Sequence, residues 1–353
     1  MDASGHLYSP GDVIEQRYRI RRTLGSGGMG QVYLAERIDD GEPVALKMLL
    51  PELLNNAKSL ARFEREVKST QVIDHPNVLR IYEFLRLEPT SLQPKVLYIP
   101  CLVMEYLEGE SVADLVEREG PVSNELATSI VEQMAAALEA AHRAGIVHRD
   151  LKPDNVFLVQ DPAHEDPGTD EGTPSYRVVL TDFGVARRRP MPDSDLSGDS
   201  ITASNVIIGT PEFMAPELLE LEDALPASDI YALGLVAYQI VTGQLPFEGE
   251  QPLKALFMRV REPAPSPTEL RPDLDATLAR IIEICLERRP EDRFASAADI
   301  VDELSPSGLA STGLSALPAQ MSTMTRDHYI AIGVAATMAV LVILLVVLFA
   351  DAS

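Results

Sequence analysis

Between residues 25 and 32 the chain reads Gly25-Ser26-Gly27-Gly28-Met29-Gly30-Gln31-Val32. Glycine has no Cβ, so backbone N–H groups in such a hairpin can approach closely, and the turn can lie over phosphates. A glycine-rich turn between strands also forms without any ligand. Strand-like residues follow it (Gln31-Val32-Tyr33-Leu34-Ala35), whereas a dinucleotide-binding turn would open a helix. Lys47 stands fifteen residues after Val32, in Val44-Ala45-Leu46-Lys47. An ammonium group flanked by apolar strand residues needs an anionic partner, and phosphate or carboxylate would serve. Two further polar runs follow, His148-Arg149-Asp150-Leu151-Lys152-Pro153-Asp154-Asn155 and Asp182-Phe183-Gly184.

Period-two alternation in Tyr18 to Leu24 and in Gln31 to Ala35, then Asp40-Gly41 before Pro43 to Leu49, predicts three short strands joined by turns. Residues 57–73 have helical spacing, with Leu60, Phe63 and Val67 on one stripe. After Met104 helical patterns dominate, at 124–144, 227–242, 253–260, 276–286 and 296–304, interrupted by strand-like Val156 to Val159 and Arg177 to Leu180. A small sheet-rich half followed by a larger helical half predicts two lobes with a cleft between them. Residues 161–175, with three prolines, two glycines and five carboxylates, read as a solvated surface insertion.

Lys and Arg number 30 against 54 Asp and Glu, a formal charge of -24. Such a field repels nucleic acid and anionic lipid, so nucleic acid is not an expected partner. Cys101 and Cys285 have no metal-ligand spacing and sit in apolar segments, which reads as two core thiols in a reducing compartment. Residues 1–12 lack the basic and apolar regions of a signal peptide. Residues 305–328, rich in Ser, Thr, Ala and Pro, read as a flexible linker. From Tyr329 to Ala350 no residue is charged. At roughly 1.5 Å per helical residue that run spans about 33 Å, enough for a hydrocarbon core of about 30 Å. One membrane-spanning helix is therefore expected at 329–350, with 351–353 as a short tail.

The glycine loop, strand lysine, H-R-D-L-K-P-D-N, D-F-G, G-T-P-E-F-M-A-P-E and the late Arg293 stand in the family order of eukaryotic-type protein kinases, which residues 18–304 resemble. The wording Gly-Ser-Gly-Gly-Met-Gly together with the apolar run is most similar to bacterial receptor-type serine/threonine kinases. The resemblance implies an α+β bilobal kinase fold, with a small β-rich N-lobe and a larger helical C-lobe. To these the apolar run adds the C-terminal transmembrane helix, and residues 1–17 precede the domain. It further implies ATP and Mg2+ as cofactors and protein Ser/Thr side chains as acceptors. Lys47 would bind the α- and β-phosphates and pair with Glu66, with Glu64 as the neighbouring alternative. Asp150 would accept the acceptor hydroxyl's proton, Lys152 would stabilise the transferred phosphoryl, and Asn155 and Asp182 would ligate Mg2+. The loop from Gly25 to Val32 would cover the phosphates. Leu24, Val32, Ala45 and Phe157 would sandwich the adenine, Met104 would be the gatekeeper, and the backbone from Glu105 to Leu107 would be the hinge. Glu217 with Arg293, and Asp229 beneath the catalytic loop, are architectural in the same family.

A scaffold without transfer would be expected to lack Lys47, Asp150 or Asp182, and all are present. Lys152 and Thr210 imply serine/threonine specificity. Arg149 implies capture of a phosphorylated loop residue. Counting back from Thr210 as in bacterial relatives points to Thr202 and Ser204, phosphorylated in trans within a transient homodimer. The expected location is the cell membrane, single-pass, with the kinase domain cytoplasmic. Signal input would then come through the membrane segment, the cytosolic surface or partners, since three residues follow the span. The insertion at 161–175 and the lengthened turn at 88–95 depart from the family's usual hairpins, and the first could disturb metal geometry.

Overall fold

Alternating burial in the opening strands sets the first layer: Tyr18 and Ile20 face inward, and Arg19 and Arg21 outward. The computed structural model describes residues 7–27, 30–49, 57–88, 98–160, 176–183, 211–220, 224–247 and 258–305. The first sheet comprises β1 (Val13–Ile14), β2 (Tyr18–Gly27), β3 (Gly30–Arg37), β4 (Pro43–Leu49), β5 (Ile81–Leu87) and β6 (Ile99–Glu105), in the order β1-β2-β3-β4-β6-β5. The pairs that the sequence also marks, β2 with β3 and β3 with β4, are antiparallel.

Parity divides this sheet into two faces. Tyr18, Ile20, Tyr33, Ala35, Val44, Leu46, Met48, Cys101 and Val103 pack together on one. On the other, Leu49 and Leu102 pack with Phe63 and Val67 of helix α1 (Ala57–Thr70). Ala45 and Met104, of the same parity as Leu49 and Leu102, pack instead with Leu79 and Val179. Lys47 lies between Ala45 and Leu49 and therefore belongs to this second face.

Residues 7–17, read from sequence as an extension before the domain, contribute to the first face. Leu7 and Ile14 are buried in it, and β1 pairs with β2. Two residues form too short a strand to leave a periodic signal.

The second sheet, β7 (Gly109–Ser111), β8 (Val156–Gln160) and β9 (Tyr176–Leu180), is antiparallel throughout. The β8–β9 register runs without a shift from Val156↔Leu180 to Gln160↔Tyr176. The two ends of the acidic insertion are thus held as strand partners. The Thr181 N–H donates to the Asn155 carbonyl at 2.9 Å, so the far ends of the hairpin also stay together.

Beneath lies the helical half. Helix α2 (Val112–Glu119) was not expected from periodicity, being only two turns long. Its signal was a capping box: the Ser111 hydroxyl accepts from the Asp114 N–H, and the Asp114 carboxylate accepts from the Ser111 N–H. Helix α3 (Asn124–Arg143) buries Ile130, Met134 and Leu138. Helix α4 (Pro226–Thr242) is buried almost all round, as its run of apolar residues without a polar face requires. A Cβ at Gly234 would come within 2.7 Å of the Cys285 Cβ, so glycine lets α4 lie against the helix Ala276–Cys285. Cys101 and Cys285 are both fully buried, and burial pushes both thiols up, as inert core groups.

Among the described residues no helix is long and apolar enough to cross a membrane. The expected span at 329–350 and the linker from 306 onward lie outside the described residues, as do the insertion at 161–175, residues 89–97 and residues 253–257 of an expected helix.

Candidate active site

Strand parity aims the first component. Lys47 shares a face with Ala45 and Met104, and its ammonium donates to the Asp182 carboxylate. The lysine is 14% exposed and the aspartate 43%, so the pair is open to solvent on the aspartate's side. Sequence reading left phosphate and carboxylate open as partners for Lys47; in this structure the partner is a carboxylate. The Glu66 side chain lies outside the described residues. Glu64, weighed as its alternative, is occupied elsewhere: Arg86 Nε donates to it at 2.9 Å and Arg86 Nη2 at 2.6 Å, and the Tyr98 hydroxyl also donates to it. These donors hold its carboxyl below the usual range, led by the bonds from Arg86 and only partly offset by burial.

Asp182 itself has φ 54°, a left-handed conformation that costs a non-glycine residue about 1 kcal/mol or more. Its neighbours hold it there. Phe183 is buried, and its ring lies 4.5 Å from the His148 ring between centroids.

His148 joins the two polar runs. It is fully buried, and its Nε2–H donates to the Thr181 carbonyl at 3.0 Å while Nδ1 accepts the Asp150 N–H at 3.3 Å. One donor and one acceptor nitrogen make a neutral imidazole. Burial lowers its proton affinity, outweighing the opposite pull of Asp229, Asp150 and Asp182.

Asp229, on the first turn of α4, is buried and fixes the same loop from below. It accepts the His148 N–H at 2.7 Å and the Arg149 N–H at 2.9 Å, which supports the left-handed Arg149 at φ 67°. His142 at the end of α3 is 2.8 Å from the same carboxylate. A lone histidine in a helix carries no pattern, so nothing in the sequence marks His142 for this role.

Asp150 and Asn155 are joined directly. Asn155 Nδ2 donates to the Asp150 carbonyl at 2.7 Å and to Asp150 Oδ2 at 3.2 Å. Pro153 opens the short 3-10 turn Pro153–Asn155 and keeps Lys152 extended before it, φ -160° and ψ 164°. The Lys152 ammonium stands 3.8 Å from Asp154.

The adenine-site candidates come together as one apolar cluster: Ala45 and Met104 buried, with Val32, Leu107 and Phe157 half-buried around them. Leu24 is 36% exposed and is not among the residues of this cluster. The Glu105 N–H is used by the Arg80 carbonyl at 2.9 Å. Gln31, named with the loop that would cover the phosphates, turns its side chain toward Leu7 and Tyr33. Its amide oxygen accepts the Leu7 N–H at 2.8 Å and also the Tyr33 hydroxyl. The reason is parity: Gln31 shares a face with Tyr33 and Ala35, so only Val32 can turn inward.

Gly25 and Gly27 differ from Gly30. A Cβ on either of the first two would meet no atom of the described residues within 4 Å, whereas a Cβ on Gly30 would collide with the Met48 carbonyl. Gly28, Met29, Gly184, Thr202, Ser204 and Thr210 lie outside the described residues. Among the described residues no group of three or more His, Cys, Asp and Glu gathers as a metal cage. Asn155 and Asp182 instead offer hard oxygen atoms from the two chain ends of the β8–β9 hairpin that the Thr181–Asn155 bond holds together, with Asn155 Nδ2 turned to Asp150. That donor set fits Mg2+, which takes few protein ligands.

Comparison with known proteins assigns the family. The family model described as the protein kinase domain matches residues 18–304. The serine/threonine-protein kinase pkn3 of Myxococcus xanthus is 34% identical over 83% of this chain, and PknA of Mycobacterium tuberculosis is 33% identical over 83%. The alignment spans 50% of the first relative and 61% of the second. The crystal structure of the Mycobacterium tuberculosis PknI kinase domain superposes with a TM-score of 0.59 at 26% identity, covering 84% of this chain and 98% of that domain. The first two relatives are bacterial serine/threonine kinases, and their family uses ATP and Mg2+. The chain belongs to the protein kinase domain family.

Proposed function

We propose that this chain is a bacterial serine/threonine protein kinase, anchored in a membrane and activated by phosphorylation of its own loop. The observation that carries the transferase reading is the meeting of Lys47 with Asp182 beside the Asp150–Asn155 pair. Phosphoryl transfer asks a protein for position and charge more than for covalent help.

The acceptor hydroxyl oxygen attacks the γ-phosphorus of ATP, the bond from that phosphorus to the β–γ bridging oxygen breaks, and ADP leaves. Asp150 receives the hydroxyl proton and orients the oxygen. Lys152 sits beside the transferred group. Lys47 holds the α- and β-phosphates, and the family resemblance assigns Glu66 as its partner. Asn155 and Asp182 would hold Mg2+, which when bound neutralises charge on the β- and γ-phosphate oxygens. Leu24, Val32, Ala45 and Phe157 enclose the adenine beside Met104, and the backbone from Glu105 to Leu107 pairs with its edge. Gly25 and Gly27, where a Cβ would meet no atom of the described residues, leave their space to the phosphates.

Lys47→Met and Asp182→Asn are each expected to cut turnover by a factor of about 100 or more while the circular dichroism spectrum is retained. Transfer of γ-labelled phosphate to a generic acceptor protein measures this. Wild-type turnover in either variant removes the mechanism.

Anchoring rests on the uncharged run 329–350, with Arg326 on the side of the kinase domain. Ala331, Ala335 and Ala339 recur every four residues, a small-residue face that would suit pairing of two copies. Protease treatment of inside-out vesicles should digest the kinase domain; protection of that domain would reverse the topology. Loop activation rests on Arg149, whose backbone is held by Asp229, and on the hydroxyls of Thr202 and Ser204. Mass spectrometry after Mg-ATP incubation should find phosphate on one or both. Full activity in the Thr202→Ala/Ser204→Ala variant removes this control.

A further inference from the structure

Arg177, second residue of β9 and opposite Val159 in the register, reaches out of the smaller sheet to two places. Nη2 donates to Glu105 Oε1 at 2.6 Å, and Nη1 donates to the Pro76 carbonyl at 2.9 Å. Glu105 ends β6 and opens the backbone assigned above to the adenine edge. Pro76 lies in the turn between α1 and β5. One guanidinium therefore ties together three segments far apart in sequence.

The surroundings make this a built contact. Both partners are about three-quarters buried, Arg177 25% exposed and Glu105 23%. Next to Pro76, Asn77 Nδ2 donates to the Val178 carbonyl and to Gln133 Oε1, each at 2.7 Å, and the Leu180 N–H donates to the Asn77 carbonyl at 2.8 Å. The turn is stitched to β9 by these bonds, and Arg177 carries the stitching on to Glu105. A planar fork can serve two acceptors at a fixed angle; a lysine ammonium at this site offers a point charge without that geometry. The Glu105 N–H already belongs to Arg80, so the arginine supplies the side-chain half of the residue's restraint.

We propose that Arg177 is a positioning residue: by holding the Glu105 carboxylate and the Pro76 carbonyl, it sets the backbone from Glu105 to Leu107 in the orientation that receives the adenine of ATP. This rests on the kinase reading above. A surface ion pair without that role is worth about 0–1 kcal/mol of stability and leaves nucleotide affinity alone.

The test uses the full chain and titrates ADP and Mg-ATP by calorimetry alongside the transfer assay. Arg177→Met, which keeps the stem and removes the fork, should weaken nucleotide binding about tenfold, as loss of one charge-assisted bond would. The KM for ATP should rise in step, with kcat within about twofold of wild type. Arg177→Lys should fall between. Glu105→Gln should reproduce part of the loss, and the double variant should bind no more weakly than Arg177→Met. Unchanged affinity in Arg177→Met, additive losses, or a change confined to kcat overturns the proposal. If Arg177→Met does not fold, Arg177→Lys and Glu105→Gln decide by the same affinities. A wild-type chain that binds nucleotide and transfers nothing sinks the kinase reading while the binding series still judges Arg177. A chain that binds no nucleotide sinks both.

Discussion

Two glycines three positions apart are held to their identity by different forces. Gly30 has no room for a side chain, because β3 and β4 approach there and a Cβ would strike the Met48 carbonyl. Gly27 has open space where its Cβ would be. Gly30→Ala is therefore expected to lower stability by about 1–3 kcal/mol, read from denaturant midpoints, since backbone must shift. Gly27→Ala should leave the midpoint within about 0.5 kcal/mol of wild type and raise the KM for ATP, because its cost falls on the ligand. An equal stability loss in both variants would contradict this division.

At the scale of elements, the helical half is pinned by a buried ion pair between the segment at 216–220 and the loop before the helix Ala297–Leu304. Arg293 Nη1 and Nη2 donate to the two Glu217 oxygens at 2.9 and 2.8 Å, with side chains 0% and 5% exposed. Burial alone would raise the Glu217 proton affinity, but the bonds from Arg293 and from the Ser228 hydroxyl outweigh it and hold the carboxylate ionised. Arg293 also donates to the carbonyls of Ala227, Glu287 and Arg288 and lies over the Tyr231 ring at 4.7 Å. Arg293→Met should cost about 3–5 kcal/mol, since it strands a buried carboxylate and three acceptors. Glu217→Gln should cost less, because the amide oxygen still accepts one bond. Thermal and urea midpoints measure both, and the reverse order would show that the carbonyl bonds contribute little.

Across the molecule, the histidine that joins the polar runs makes stability depend on pH. His148 is neutral in the folded state because burial lowers its proton affinity, and an unfolded chain's histidine titrates near pH ~6.5. Above that pH both states are neutral and the residue adds no slope. As pH falls below it, the unfolded chain takes up a proton that the native chain refuses, so unfolding becomes easier by up to about 1.4 kcal/mol per pH unit. His75, also lowered by burial, acts in the same direction. Urea midpoints between pH 7.5 and 5.5 should fall more steeply for wild type than for His148→Asn, and parallel curves would refute the assignment.

Composition, period and motif determined a good deal by themselves. Alternation placed β2 and β3, the Asp40-Gly41 turn marked the start of β4, helical spacing placed α1, α3 and α4, and Lys47 in an apolar strand demanded an anion. Each of these signals arises because burying apolar area stabilises an element one face at a time, which leaves a period in the chain. The capping box at Ser111 and Asp114 was equally legible, and strand parity would have turned Gln31 away from the cleft. The choice of partner has no such trace. Asp182 meets Lys47 across 135 positions, Arg177 meets Glu105 across 72, and Leu7 meets Gln31 across 24. A charged or polar side chain satisfies its needs with whichever complementary group the fold brings near, and only the closing of the tertiary structure decides which group that is.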